Sequence, residues 1–471
     1  MGDIEQPLKL RSLGRSEQLS AVSHALGFFN NVGLSAHYLV SENAAQYDLQ
    51  RIIYAALAHV IQEHTILSAI PVDEDSPDSY WVQLPTIDLA RSVTFLTRAR
   101  PLEETGEDSE LDEILQEQHN IDFKSDYGTL PFWRLVILRD AENELSFTAS
   151  FIFYHGIGDG AAGLVFHKSF SEALNAASSS SESLSNTATL VHSSPDARLL
   201  PTLEQLHPLP LNPNPVDHHT QGLQEWTGDS IRLPCQTHCR TLYLSPTSST
   251  AFVQKCKSNN LSVTAGLQAT LAHSLFDTLP PTTEALTGII PINLRPWLNL
   301  PATTATNAIG SFIDAIKVQT PRSHFATEST DTVSGLPAAR HTADAISKYL
   351  TSNPSPSGEP YTSVAFFGAI PDVAVAFKSM IGAPRDAAFE ISNVGQFAGS
   401  AGDEEAAKWR VGRMVFSRSA VAFGAALNTS VVSGADGGLT IGFCWQEGVL
   451  EDGFVDGVVK GFGGYFESEG F

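Results

Sequence analysis

Hydrophobic positions between residues 49 and 64 recur every three to four residues. In LQRIIYAALAHVIQEH, Ile52, Ile53, Ala56, Leu57, Val60 and Ile61 share one stripe, which predicts an amphipathic helix. The pattern changes at LSFTASFIF (145–153), whose apolar end predicts a strand covered on both faces. Helical spacing returns from Ala161 to Leu174, with Ala162, Phe166, Phe170, Ala173 and Leu174 aligned. The acidic run PLEETGEDSELDEILQEQ (101–118) reads as a helix with a solvated face, the usual fate of a charge run.

Residues 176–234 break this alternation. They open with Ser178–Ser181 and carry six prolines between Pro195 and Pro215, which predicts a connector with little regular structure. Beyond it, SVTAGLQATLAHSLF (262–276) aligns Leu267, Leu271 and Leu275 as a helix, and EALTGIIPINLRP (284–296) reads as a strand closed by a proline turn. TSNPSPSGEP (351–360) reads as a loop. Residues 417–445 read as strand, Gly-Asp turn and strand, followed by a short helix around 451–462. The expected organisation is two α/β lobes, 1–175 and 235–471, each a mixed sheet with helices, joined by 176–234.

Composition narrows the function classes. The 471 residues carry 28 Lys+Arg against 52 Asp+Glu, a net charge of −24. That field repels phosphate backbones and anionic lipid, which argues against nucleic acid as a partner. The most apolar stretch, 363–377, is interrupted by Pro371 and Asp372, so no stable membrane insertion is expected. The opening MGDIEQPLKLRSLGRSE has no apolar signal core, and Gln6 stands where a myristoylation motif wants Ser or Thr. Four cysteines in so long a chain make no disulfide framework. A cytoplasmic monomer is expected. Cys235-x-x-His238-Cys239 has no second ligand pair at zinc spacing, so no metal is expected. Ala398-Gly-Ser400-Ala-Gly402 imitates a nucleophile elbow without its strand, and His218-His219 falls in the connector.

The sharpest chemistry lies in FIFYHGIGDGAAG (151–163). An apolar strand runs into His155, a turn with Gly156, Gly158 and Gly160 follows, and a helix begins near Ala161. A histidine at the exit of a buried strand is rigidly held yet sits at a lobe edge. The residues alone also allow a packed core histidine in a strand-to-helix turn. Gly156-Ile-Gly158-Asp159-Gly160-Ala161 formally satisfies a dinucleotide fingerprint as well, but the second strand and its acidic end would fall in the serine tract.

His155-x-x-x-Asp159-Gly160 resembles the HxxxDG motif of the coenzyme-A-dependent acyltransferases, among them chloramphenicol acetyltransferase, plant BAHD enzymes and peptide-synthetase condensation domains. Within them the chain is most similar to the fungal alcohol acetyltransferase family. RSLGRSEQLSAVSHALGFFNNVGLSAHY (11–38) resembles its opening block, PINLRP (291–296) its Asn-x-Arg turn, ISNVGQF (391–397) its late strand and WQEGVLEDG (445–453) its closing segment. Two features depart from the wider pattern: Tyr154 replaces the first of the usual tandem histidines, and no DFGWG stretch is present.

The resemblance implies two chloramphenicol-acetyltransferase-like lobes with a channel between them. It implies O-acylation of a small-molecule alcohol or secondary metabolite from acetyl-coenzyme A or another acyl-CoA, by direct transfer. His155 would be the general base, Asp159 and Gly160 would support it, and Arg295 would pair with Asp159. Ser392 and Asn393 are candidates for oxyanion or substrate contacts. His37, Tyr38 and Tyr154 are candidates for lining the channel. Lys255, Lys257 and Lys378 are candidates for a local basic cluster at the donor mouth, needed because the net charge opposes a polyanionic donor. A carrier-bound donor or amine acceptor, and a non-catalytic binding protein on the same scaffold, are the alternatives.

Overall fold

The computed structural model describes residues 8–40, 48–102, 106–140, 145–179, 189–213, 222–326, 335–351, 354–356, 358–399 and 407–467. His218, His219, Ser180, Ser181, Ser400 and Gly402 lie outside them. Two main sheets are built from β1 (Val32–Val40), β2 (Val93–Thr97), β3 (Trp133–Arg139), β4 (Phe147–Phe153), β5 (Thr237–Leu244), β6 (Ala285–Asn293), β7 (Ile313–Pro321), β8 (Ala387–Gln396), β9 (Trp409–Arg418), β10 (Ala425–Ser433) and β11 (Leu439–Gln446). The helices that bear on the site are α1 (Arg15–Ala25), α2 (Leu49–Glu63), α3 (Ser109–His119), α4 (Gly160–Ala177), α5 (Pro246–Ser258), α6 (Val263–Thr278), α7 (Val373–Met380) and α8 (Asp452–Gly464).

The first sheet has five strands in the order β9-β1-β4-β3-β2, antiparallel except for the parallel pair β2–β3. All seven residues of β4 are buried, as a strand covered on both faces must be. One face is closed by α2 and α4. The predicted stripe of α2 is the buried one, and Asp48 caps the helix by accepting the Arg51 amide. Gly163 of α4 lies so close to Leu34 of β1 that an added Cβ would come within 2.8 Å of it. That approach carries the helix start to the sheet edge where β4 ends.

The second sheet has six strands in the order β5-β11-β10-β8-β6-β7, with β8 parallel to both β6 and β10. Its outer face packs Phe389, Ile391, Leu427 and Phe443 on α6 and α8. The aligned Leu267, Leu271 and Leu275 of α6 are fully buried there, each contributing on the order of 1.5–3 kcal/mol of transfer free energy.

The lobes do not follow the linear division expected from composition. Strand β9, from the third segment, pairs with β1 and completes the first sheet. The same strand backs onto the second sheet, where Gly442 sits under the Phe416 carbonyl with room for no Cβ (2.7 Å). The connector contributes only the short strand Leu190–His192 and the single turn Leu203–Leu206 among its described residues.

The acidic helix also departs from expectation. Its exposed side is solvated, but Leu111, Asp112, Leu115 and His119 of α3 are buried. Asp112 accepts from the Thr241 amide (3.0 Å) and hydroxyl (2.7 Å) of β5, so this helix ties the two lobes together. Burial raises the Asp112 carboxyl to about 6 against the opposing Thr241 hydrogen bonds.

Candidate active site

β4 ends at Phe153, and the chain turns at once: the Ile157 amide donates to the Tyr154 carbonyl at 2.9 Å. His155 sits in that turn and keeps partial exposure. Phe29 meets its ring edge-on at 5.3 Å. Nδ1 is buried and meets no polar atom of another described residue, while the residue as a whole keeps partial exposure. The ring's pKa is held below its usual 6.5. Burial is the largest cause and lowers it, the ring's hydrogen bond to its own main chain and the Asp159 charge raise it, Arg418 lowers it and Glu390 raises it. The imidazole is therefore neutral near pH 7 and can accept a proton.

Asp159 points away from the ring. Its carboxylate takes a two-pronged ion pair from Arg295, at 2.8 Å (Nη1) and 3.0 Å (Nη2). It also caps α4 by accepting the Ala162 amide (3.0 Å), and it accepts the Phe312 amide (2.9 Å). Arg295 Nη2 donates further to the Ala308 and Gly310 carbonyls, and Asn293 Oδ1 accepts the Arg295 amide. Both charged groups are buried, with 5% and 3% of their side chains exposed. An isolated buried charge is costly, and here each is matched by a charge-assisted fork. The pair anchors the motif turn to the segment after β6.

The glycines are steric necessities. A Cβ on Gly156 would collide with the Tyr154 ring. One on Gly160 would stand 2.6 Å from Phe416 of β9 and 2.6 Å from Val394 of β8, so the helix start is wedged where the two sheets meet. Gly160→Ala is expected to cost about 1–3 kcal/mol, the usual penalty of overpacking. Urea unfolding measures it, and an unchanged midpoint would refute it.

Other expected residues fall elsewhere. Tyr154 is 1% exposed and packs its ring among His24, Trp81 and Phe132, so it lines no passage. Tyr38 is fully buried, stacked on Phe147 and bonded to His167. His37 is buried near the far end of β4 from His155, opposite Thr148. Its ring, pushed down to about 4 by burial and by Arg98 and Arg413 against Asp108, lies 3.5 Å from Asp140. Packing, the other reading open to His37 and Tyr38, is what their burial shows, and the apolar run does not reveal it.

Asn393 bonds Thr264 of α6 and accepts the Gly395 amide, so it serves the helical side of the sheet. Ser392 lies on the opposite face, in register with Ser430. Lys255 and Lys257 lie on α5, which packs against α6, and Lys378 lies on α7, which packs against α1. Cys239 and Cys444 are free thiols 3.3 Å apart across β5 and β11, and His238 faces Asp452 at 3.1 Å. No group of three metal-ligating side chains occurs among the described residues.

A cavity of about 310 Å³ lies on the outer side of the motif turn, walled by Ile157, Gly310, Phe312, Arg11, His64 and Thr202. It borders the Asp159 anchor and does not reach His155.

This arrangement can be compared with known proteins. The alcohol acetyltransferase family profile matches residues 105–453. A probable alcohol acetyltransferase of Aspergillus fumigatus, crmB, is 50% identical over 460 residues, covering 97% of this chain and 99% of that protein. The chain belongs to the alcohol acetyltransferase family. Its members are O-acyltransferases, and the fold agrees. The trichothecene 15-O-acetyltransferase TRI3 of Fusarium sporotrichioides superposes with a TM-score of 0.71 at 13% identity, covering 98% of this chain and 95% of that one. The first condensation domain of the CDA synthetase superposes at 0.60 with 10% identity, covering 98% and 96%. The two-lobe acyltransferase architecture expected from the HxxxDG resemblance is the one found. No helix among the described residues is long and apolar enough to cross a membrane.

Sequence reasoning placed Asn293 in the Asn-x-Arg turn without giving it a role, and missed the Phe312 amide and the Glu390–Arg418 ion pair. Asn293 had a signal, since an Asn two residues before Arg295 in PINLRP suits an Asx turn. The other two had none. A backbone donor has no side-chain signature, and Glu390 and Arg418 lie on different sheets.

Proposed function

We propose that the protein transfers an acetyl group from acetyl-coenzyme A to a hydroxyl of a small-molecule alcohol, with His155 as general base. The observation that carries the reading is the imidazole itself: a partly exposed ring with its Nδ1 buried, on a turn anchored by the Asp159–Arg295 pair. An alcohol is a poor nucleophile at neutral pH. Nε2 accepts the hydroxyl proton as the alcohol oxygen bonds to the thioester carbonyl carbon. The tetrahedral intermediate then expels the thiolate, and His155 returns the proton to sulfur, so no acyl-enzyme forms. The family membership and the name of the Aspergillus relative support acetyl as the group moved.

A panel of hydroxylated and amine acceptors with acetyl-coenzyme A tests this, read by release of free thiol. Thiol release with an alcohol is expected. Because burial lowers the ring's pKa, the acid limb of kcat/KM should have its midpoint below that of an ordinary histidine. Silence across the panel, with transfer from a loaded carrier protein instead, would overturn the donor assignment.

A further inference from the structure

Arg418 is the last residue of β9. The ladder β9–β1–β4 sets it in register with Val32 and Phe153, two residues before His155, so both basic side chains leave the same edge of the first sheet. The Arg418 side chain then crosses to the other lobe, where Nη1 donates to Glu390 Oε1 of β8 at 2.7 Å. Arg418 is buried and Glu390 half-buried, with 9% and 15% of the side chains exposed, and Arg418 Nε and Nη2 meet no acceptor among the described residues. Glu390 stands on the face of β8 opposite the core residues Phe389 and Ile391. The motif turn is at the same junction, because Gly160 touches Phe416, two residues before Arg418, and Val394, four after Glu390.

We propose that Arg418 and Glu390 are positioning residues of the transfer site, an interlobe ion pair that sets the electrostatic surroundings in which His155 takes up and returns its proton. The proposal rests on the reading of His155 as the base. The charges that act on the ring are Asp159, whose carboxylate is tied to Arg295, and the two members of this pair. Arg418 disfavours the imidazolium, and Glu390 and Asp159 favour it. Since one charge comes from each lobe, their balance depends on how the lobes are held together. A merely structural ion pair would lose stability and activity in the same direction whichever partner was removed. An electrostatic one moves the ring in opposite directions.

The experiment is an NMR titration of the chain labelled at histidine Cε1, in the wild type, Glu390→Gln, Arg418→Gln and Arg418→Lys, with His155→Gln to identify the signal. Glu390→Gln should move the His155 midpoint to lower pH and Arg418→Gln to higher pH. Arg418→Lys should stay near the wild type, and the acid limb of kcat/KM should follow each shift. Shifts in one direction for both neutral variants, or none, would overturn the proposal. So would failure of both to fold by circular dichroism, which would make the pair a stability element alone. Opposite ring shifts without acetyl transfer to any alcohol would count against His155 as the base while leaving its coupling to the pair intact.

Discussion

His155→Ala is expected to lower kcat by about 10²–10⁴-fold, the range typical of a lost general base, or roughly 3–5 kcal/mol of barrier. The fold should survive. Nδ1 holds no other residue, and the ring's aromatic neighbour Phe29 is itself packed in the first lobe's core. Steady-state kinetics beside a thermal melt separates the two effects. A variant with a normal melt that keeps more than a tenth of the wild-type kcat removes His155 from the role.

Asp159→Ala should be the most destabilising single change at the site. The carboxylate satisfies two Arg295 nitrogens, the Ala162 amide and the Phe312 amide, all buried. Truncation leaves a guanidinium charge buried without its partner, a defect that typically costs about 3–5 kcal/mol. Asp159→Asn is the sharper probe. Its side-chain oxygen can still accept from Ala162 and Arg295 Nη2, but its NH2 would face two donors, Arg295 Nη1 and the Phe312 amide, so the anchor is weakened while the side-chain volume is kept. Both variants should lower the urea midpoint, and Asp159→Asn should also lower kcat by misplacing His155. Full stability together with full activity in Asp159→Asn would show that the pair holds nothing of consequence.

Much of this was legible in the chain. The stripe of α2, the doubly buried β4 and the start of α4 each follow a local period or capping signal, and local signals survive into the fold. The Asp159–Arg295 contact was suggested only by resemblance, since 136 positions separate the partners and no spacing rule joins them. What stayed hidden was set by tertiary pairing. The acidic run looked solvated because Asp112, one of its buried carboxylates, finds Thr241 only once the lobes meet. Tyr38 and Tyr154 looked like channel residues because a one-dimensional pattern does not tell an inward ring from one beside a passage.

The crossing of β9 into the first sheet bears on biosynthesis. Until Trp409–Arg418 has emerged from the ribosome, β1 presents an unpaired edge, the kind of exposed template that invites association with other chains. The nascent first half must wait, incomplete, for most of translation. Expressing residues 1–175 alone should therefore yield an aggregating fragment, and supplying the remainder as a separate polypeptide is the natural way to rescue it.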